Sequence, residues 1–269
     1  LCTFRRPHVA DTLRSLANII TKPEWNIRII VADNDETPSA RETVEETAAA
    51  VGLQISYIHA PARNISIARN ACLDAGSAPL VAFLDDDELA SPEWLAALVS
   101  TMASGDASIV LGPVRAIYPA SAPRWMKVGD FHATMPVWVE NRIITGYTCN
   151  VLMKREAIGS LRFRAELGRS GGEDTAFFTA LHRAGHRIAF APQAWLSEAV
   201  TPERAHFGWL FRRRFRSGQT HALLIMERIH RRSLRPVACC ARRRRPLPAR
   251  PPCTLPETGT RPKRRHHRG

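Results

Sequence analysis

The feature that most constrains the fold is the alternation of short apolar runs with amphipathic segments over the first 105 residues. The runs at 28–35 and 79–84 end abruptly in polar residues, which is typical of buried parallel strands. Between them, segment 65–75 has helical apolar spacing and is ended by Gly76. The order β-α-β-α-β-α-β predicts an α/β fold with a single doubly wound, mostly parallel sheet. In such folds ligands bind outside the carboxyl ends of the strands.

The charge of the chain is distributed unevenly. Of 269 residues, 45% are hydrophobic, which is enough for one α/β domain and excludes fibrous and wholly disordered proteins. Residues 1–221 hold 24 Lys and Arg against 23 Asp and Glu, whereas residues 222–269 hold 14 against 2. We therefore expect residues 225–269 to form a disordered basic tail. Its abrupt change of composition suggests the hypothesis that the tail is out of frame, which the other two reading frames of the DNA would test.

Membrane-spanning and secretory features are absent from the sequence. No window approaches the roughly 18 consecutive apolar residues that a spanning helix requires. Residues 1–8 carry no charged-then-apolar leader, and we interpret them as the truncated end of a strand. The six cysteines lack C-x-x-C spacing, which favours reduced thiols. We expect a cytoplasmic protein.

Four acids, Asp85, Asp86, Asp87 and Glu88, directly follow the apolar run at 79–84. Clustered carboxylates repel one another, and Mg²⁺ or Mn²⁺ commonly bridges one or two of them to substrate phosphates. The alternative is a solvated acidic turn. Because the preceding strand is predicted to be buried, the acids would point to the ligand-binding edge of the sheet, which favours the cation site.

A second acid pair, Glu173 and Asp174, opens a predicted helix after the glycine-rich segment 168–172. These acids could simply stabilise the helix N-terminus, by about 0.3–1 kcal/mol each. Glycine also lets backbone approach a ligand closely, and a carboxylate held there can act as a general base toward a sugar hydroxyl. Asp174 is the better candidate.

Arginines form a third group. Arg63 and Arg69 precede the acidic strand, and four more lie within residues 212–216. The planar guanidinium suits phosphate because it makes paired, charge-assisted hydrogen bonds. The alternative for the second group is a solvated helix face.

Taken in order, these motifs resemble those of inverting glycosyltransferases of family 2. Within the family, the strings APARNISIARNACLDA, GYTCNVL, LGRSGGEDT and FRSGQTH resemble glucosyltransferases of succinoglycan biosynthesis. The resemblance covers residues 1–224 and implies a GT-A fold, with a nucleotide-sugar-binding half (1–107) and an acceptor half (108–224). The motifs that carry it are Thr3–Pro7, Ala32–Asn34, Ala62–Ala71, Asp85–Asp87 and Gly172–Asp174.

The resemblance also implies roles for the nucleotide-binding residues. Phe4 would flank a uracil, Asp33 would hydrogen-bond it, and Arg63 would also contact the nucleotide. Asp86 would reach the ribose. Asp85 would belong to the same D-x-D-type triplet.

For the reaction, the resemblance implies that Asp87 ligates Mn²⁺ or Mg²⁺ bound to the diphosphate. Asp174 would deprotonate the acceptor hydroxyl, with Glu173 beside it, in a direct displacement that inverts the anomeric carbon. The implied substrates are a UDP-sugar, with glucose expected, and a lipid-linked oligosaccharide acceptor in exopolysaccharide biosynthesis. The implied location includes peripheral contact with the inner face of the cell membrane.

Two other functions remain open at this point. A sugar nucleotidyltransferase would need a glycine-rich phosphate loop after the first strand, where this chain has FRRPH. A non-enzymatic basic protein could bind nucleic acid or anionic membrane through the tail. The nearly neutral body argues that such binding would be incidental, and we expect no specific nucleic-acid partner.

Overall fold

A computed structural model describes the backbone of residues 1–233 and the side chains of residues 1–226. The strands are β1 (Cys2–Thr3), β2 (Ile29–Asp33), β3 (Ile55–His59), β4 (Leu80–Leu84), β5 (Glu88–Ala90), β6 (Ile109–Leu111), β7 (Val114–Ile117), β8 (Trp138–Val139), β9 (Arg142–Ile143), β10 (Asn150–Lys154), β11 (Ile188–Phe190) and β12 (Leu196–Ala199). The α-helices are α1 (Val9–Ala17), α2 (Arg41–Val51), α3 (Ile65–Ala75), α4 (Trp94–Ala103), α5 (Arg124–Gly129), α6 (Arg155–Ile158), α7 (Glu173–Arg183) and α8 (Phe207–Ser233), and Ala165–Leu167 forms a 3₁₀ turn.

The central sheet consists of a three-stranded and a four-stranded part. Strands β3, β2 and β1 pair in parallel, and a parallel bridge between Cys2 and Asp85 connects them to β4. Beyond β4 the order is β10, β6, β11, with β10 antiparallel to both of its neighbours. The predicted α/β fold is confirmed. Its sheet contains the antiparallel strand β10 and is supplemented by a small sheet, β5-β12-β7, and a hairpin of β8 and β9, which the sequence did not predict.

Both faces of the central sheet are covered, which makes the arrangement doubly wound. Consecutive side chains of a strand point to opposite faces, and in β2 the buried Val31 and Ala32 belong to different core clusters. One cluster contains side chains of α1, α2 and α4, and the other contains side chains of α3 and α7. Representative members are Leu13, Val44 and Leu98 in the first and Leu73, Phe178 and Leu181 in the second.

The helix α8 continues past Leu224, where the sequence suggested that regular structure ends. The predicted disorder is therefore wrong for residues 225–233. The rest of the expected tail, 234–269, lies outside the described residues, so its disorder and its reading frame stay predictions. Among residues 1–233, no helix combines the length and the apolar character needed to cross a membrane.

A buried asparagine fixes where β10 begins. The side-chain amide of Asn150 donates to the carbonyl oxygens of Pro113 at 2.9 Å and Ala194 at 2.7 Å, and its Oδ1 accepts from Trp94 Nε1 at 2.8 Å. A Cβ at Gly112 would overlap both Asn150 and the Ala194 carbonyl, so this crossing is closely packed. The network joins the start of β10 to α4 and to the segments that follow β6 and β11.

We predict that Asn150→Ala lowers the free energy of unfolding by roughly 2–4 kcal/mol, because it leaves one buried donor and two buried carbonyls without their partner. Urea denaturation would measure the loss. The matched control is Asn18→Ala at an exposed position, where we expect a change of at most about 0.5 kcal/mol. Equal losses in the two variants would contradict a structural role for the network.

Candidate active site

The candidate active site lies at the carboxyl-end edge of the central sheet. Strands β1, β2 and β4 end there, so Asp33 and the acids that follow Leu84 meet at one edge. Because β10 runs antiparallel and Asn150 pairs with Leu84, the residue Thr148 reaches the same edge. The N-terminus of α7 adds Glu173 and Asp174.

Asp33 is fully buried and organises the loop that follows β2. Its Oδ1 accepts from the Asp35 backbone N–H at 3.0 Å, and its Oδ2 accepts from the Ala40 N–H at 2.9 Å and the Tyr57 hydroxyl at 2.6 Å. Burial and the bond to Asp33 raise the pKa of Tyr57. In this conformation Asp33 supports the loop, and hydrogen bonding to a uracil would require the loop to move.

Phe4, expected to flank the base, and Arg63, expected to contact the nucleotide, lie on the exposed rim. Phe4 is 39% exposed, and the Arg5 guanidinium lies 5.3 Å from its ring centroid. Arg5 also donates to Asp35 at 2.8 Å, and this bond holds the pKa of Asp35 at about 2. Arg63 pairs with Glu36 at 3.0 Å. Phe4 and Arg63 thus follow β1 and β3 on either side of the loop that Asp33 supports.

Two of the clustered acids are already paired with arginines. The buried Asp86 accepts from the Thr3 hydroxyl at 2.7 Å and lies 3.4 Å from Arg6, and its burial raises its pKa. Asp87 forms an ion pair with Arg6 and lies 3.9 Å from Arg204. Asp86 is thereby fixed to the end of β1, whereas Asp87 faces two cations from different parts of the chain.

Asp85 and Glu88 lie on the floor of the cleft. Glu88 is 1% exposed, accepts from the Asp85 backbone N–H at 2.7 Å, and has a raised pKa because it is buried. Withdrawal from bulk water raises the pKa of Asp85 to about 7; Arg69 opposes the shift, and Asp87 and Asp174 add to it. The side chain of Asp85 is nevertheless 45% exposed. This part of the cleft therefore favours an added cation.

The donor set fits a divalent metal that is bound together with a diphosphate. Within the described part of the chain, no group of three or more His, Cys, Asp and Glu side chains is placed to hold a metal ion. Mg²⁺ and Mn²⁺ need only one or two carboxylates when substrate phosphates complete the coordination shell. Asp85 and Asp87 supply such carboxylates, and the Asp85 side chain is 45% exposed, so a ligand can reach it.

A buried arginine joins the acid pair of α7 to the acidic strand end. Arg69 is 6% exposed, and its Nη1 donates to Glu173 at 2.7 Å and to Asp174 at 2.8 Å. Its Nη2 lies 3.9 Å from Asp85. Burial lowers the pKa of Arg69, but Asp174, Asp85 and Glu173 outweigh that effect, so the guanidinium remains charged. The sequence suggested Arg69 as a phosphate ligand; the structure makes it an internal counter-ion.

Asp174 is the more accessible member of the pair. Its side chain is 23% exposed, compared with 11% for Glu173. The Thr148 backbone N–H and hydroxyl donate to Asp174 Oδ2 at 3.1 and 3.0 Å. Burial raises the pKa of Glu173, whose Oε2 has no hydrogen-bond partner among the described residues. The geometry therefore presents Asp174 to the cleft in a fixed orientation.

Two glycines allow the backbone around this pair to pack closely. Gly172, the residue before α7, has a φ of 92°, and a Cβ there would overlap the Thr220 methyl group of α8. A Cβ at Gly168 would overlap the Asn64 side chain, which caps α3. The segment that carries the acids is thus packed between α3 and α8.

The sequence matches a known family. The sequence model of glycosyl transferase family 2 matches residues 1–162. The chain is 53% identical over 232 residues to the succinoglycan biosynthesis protein ExoM of Rhizobium meliloti (strain 1021), and the alignment covers 86% of this chain and 75% of ExoM. The chain belongs to glycosyltransferase family 2. Membership in this family decides against the two other functions that the sequence left open.

Solved structures support the fold. A mannosyltransferase, PcManGT from Pyrobaculum calidifontis in complex with GDP-Man and Mn²⁺, has a TM-score of 0.61 at 19% identity, over 84% of this chain and 62% of that one. S. aureus TarS has a TM-score of 0.58 at 21% identity, over 75% of this chain and 36% of TarS. Residues 1–349 of TarS in complex with UDP-GlcNAc have a TM-score of 0.56 at 18% identity, over 74% of this chain and 58% of that one. The predicted GT-A fold is confirmed.

Three residues of the cleft were missed by the sequence analysis. Arg6 lies in the motif that follows β1. This position could have suggested that Arg6 pairs with the acids that follow β4. Thr148 precedes the antiparallel β10, and Arg204 lies in the segment before α8. No local pattern distinguishes the last two, because only long-range packing brings them to the cleft.

We predict that Arg69→Met lowers the free energy of unfolding by about 3–5 kcal/mol, because it leaves Glu173 and Asp174 without their cation in a mostly buried position. Thermal and urea unfolding without ligand would measure it. The control is Arg14→Met, which breaks an exposed ion pair with Asp11 and should cost at most about 1 kcal/mol. A loss for Arg69→Met as small as that of the control would contradict the role of counter-ion.

Proposed function

We propose that this glycosyltransferase transfers one sugar, glucose, from UDP-glucose to a lipid-linked oligosaccharide, with inversion at the anomeric carbon. The observation that carries the proposal is the link between the acids after β4 and the acid pair of α7. Arg69 links Asp85 on the one side to Glu173 and Asp174 on the other. A donor diphosphate at the first group and an acceptor hydroxyl at the second would be neighbours.

The donor assignment rests on the exposed rim and on the acids below it. Phe4 is exposed where it can flank a base, Arg63 is placed to contact the nucleotide, and Asp86 is fixed at the strand end where a ribose would follow. The TarS structure with UDP-GlcNAc and the PcManGT structure with GDP-Man and Mn²⁺ support a nucleotide-sugar donor and a divalent metal. We assign the metal, Mn²⁺ or Mg²⁺, to Asp87 with Asp85 beside it.

In the proposed reaction, Asp174 accepts the proton of the acceptor hydroxyl while that oxygen forms a bond to the anomeric carbon. The bond from this carbon to the UDP oxygen breaks, and its electron pair leaves with UDP. Thr148 and Arg69 hold the carboxylate of Asp174 in place for the transfer. A bound metal would offset the negative charge that grows on the leaving diphosphate.

The acceptor assignment rests on the similarity to ExoM. A relative at 53% identity that takes part in succinoglycan biosynthesis supports a role in exopolysaccharide assembly. An acceptor carried on a lipid would place the enzyme at the cytoplasmic face of the cell membrane, in peripheral contact with it. A screen for UDP release from different UDP-sugars, with Mn²⁺ and a lipid extract as acceptor, tests the reaction class and the donor together. Absence of UDP release with every UDP-sugar would reject the proposal.

We predict that Asp87→Ala removes the Mn²⁺ dependence of UDP binding and leaves the fold intact, because Asp87 lies in a loop and its contacts are ion pairs at the cleft. Calorimetry with and without Mn²⁺ would measure it. Asp106→Ala, which breaks an exposed ion pair with Arg187, is the control and should keep the dependence. A folded Asp87→Ala protein with unchanged Mn²⁺-dependent affinity would rule out the metal assignment.

We predict that Asp174→Asn keeps near-normal donor binding and reduces transfer by about 10²–10⁴-fold, because an amide cannot take up the proton. Calorimetry with UDP and the transfer assay give the two quantities. Asp74→Asn, the same change at an exposed carboxylate paired with Arg162, should leave both unchanged. Retained transfer in Asp174→Asn would assign the base to Glu173 or to another group.

A further inference from the structure

The helix α8 lines a surface cavity that is rich in arginine. The cavity has a volume of about 340 Å³ and is lined by Trp209, Arg212, Arg213 and Arg216. Within the described residues, none of these three arginines lies in an ion pair with a carboxylate. Guanidinium groups gathered on one helix favour an anion, and phosphate fits their planar fork best.

The groups next to this cavity also favour a bound anion. Arg204 and Arg213 both lie against the Trp209 ring, at 5.3 and 5.2 Å from its centroid. Arg204 is already paired with Glu198. Desolvation and the adjacent Arg204 lower the pKa of Arg213 and Glu198 opposes the shift, although the residue is exposed at the surface. A bound phosphate would relieve this repulsion.

An apolar groove continues from the arginine cavity along α8. This second cavity has a volume of about 540 Å³ and shares Arg216 with the first. Ala222, Leu223 and Met226 supply its apolar surface, and Leu223 and Met226 are 57% and 65% exposed. A site for phosphate thus lies directly beside a surface for hydrocarbon.

We propose that α8 binds an amphiphilic phosphate, with the phosphate among Arg212, Arg213 and Arg216 and the hydrocarbon chain along Leu223 and Met226. This inference rests on the proposed function, since the lipid carrier of the acceptor would be such a molecule. The donor is a poor occupant, because a nucleotide sugar has no hydrocarbon chain and its diphosphate is assigned to the acids near Asp87. Arg204 stands between the two sites, 3.9 Å from Asp87 and against Trp209.

The test uses farnesyl diphosphate as a soluble probe and the full chain, in titration calorimetry with saturating UDP and Mn²⁺. The filled donor site then cannot take the phosphate of the probe. Inorganic pyrophosphate tests the phosphate site without the chain, and farnesol tests the chain without phosphate. Arg213→Gln and Arg216→Gln are the test variants. Arg214→Gln is the matched control, because it makes the same change on the same helix outside both cavities.

We expect Arg213→Gln and Arg216→Gln each to weaken farnesyl diphosphate about tenfold or more, and Arg214→Gln to weaken it less than about twofold. Pyrophosphate should lose affinity in the same two variants. Leu223→Ser should weaken farnesyl diphosphate and leave pyrophosphate unchanged, because it alters only the groove. Farnesol should bind much more weakly than its diphosphate. Thermal melting would show that all variants are folded.

Two results would overturn the inference. One is farnesyl diphosphate binding that is equal in Arg213→Gln, Arg214→Gln and Arg216→Gln. The other is a loss of UDP affinity in the two pocket variants as large as their loss for farnesyl diphosphate, which would assign the arginines to the donor. Failure of the unchanged chain to bind UDP with Mn²⁺ would reject the donor proposal separately, and the probe would then be titrated without UDP.

Discussion

One buried cation holds the two halves of the cleft together. The guanidinium of Arg69 is almost completely buried, and its hydrogen bonds join α3 to the first residues of α7. A charge at such a depth is tolerated only when opposite charges surround it. Glu173, Asp174 and Asp85 provide these opposite charges. Arg69 in turn holds the three carboxylates in place, which a hydrophobic core could not do. The position of Glu173 and Asp174 relative to Asp85 therefore depends on this internal counter-ion.

The part of the site that follows parallel strands could be predicted from the sequence. Polar residues after buried runs mark the carboxyl edge, and Asp33 and the acids after β4 lie there as predicted. The sequence could not show that the carboxylate of Asp33 is occupied by hydrogen bonds within the protein. Tyr57 and Ala40, which donate two of these bonds, approach Asp33 only in the folded chain. Thr148 was missed for a similar reason. The strand that follows it, β10, is antiparallel within a mostly parallel sheet, and that pairing has no local signature.

The acids after β4 and the arginines of α8 occupy separate regions of the protein. Acids on the floor of the cleft have raised pKa values where burial outweighs their partners, as for Asp85 and Glu88, whereas the arginines of α8 lack carboxylate partners among the described residues. Arg204 lies between the two regions, in contact with Glu198 and near Asp87. Opposite charges kept apart in one protein cannot neutralise each other. Each region is then available for a ligand of its own kind, a cation for the acids and an anion for the arginines.

The glycine that precedes α7 has a consequence for how this sequence can vary. Gly172 adopts a φ of 92°, and the Thr220 methyl group occupies the space where its Cβ would be. Two separate costs, backbone strain and overlap with α8, thus oppose any other residue at this position. A smaller residue at 220 would remove only the second cost. In an evolving lineage, a change at position 172 therefore requires a smaller residue at 220 and, in addition, a new residue at 172 that tolerates a positive φ.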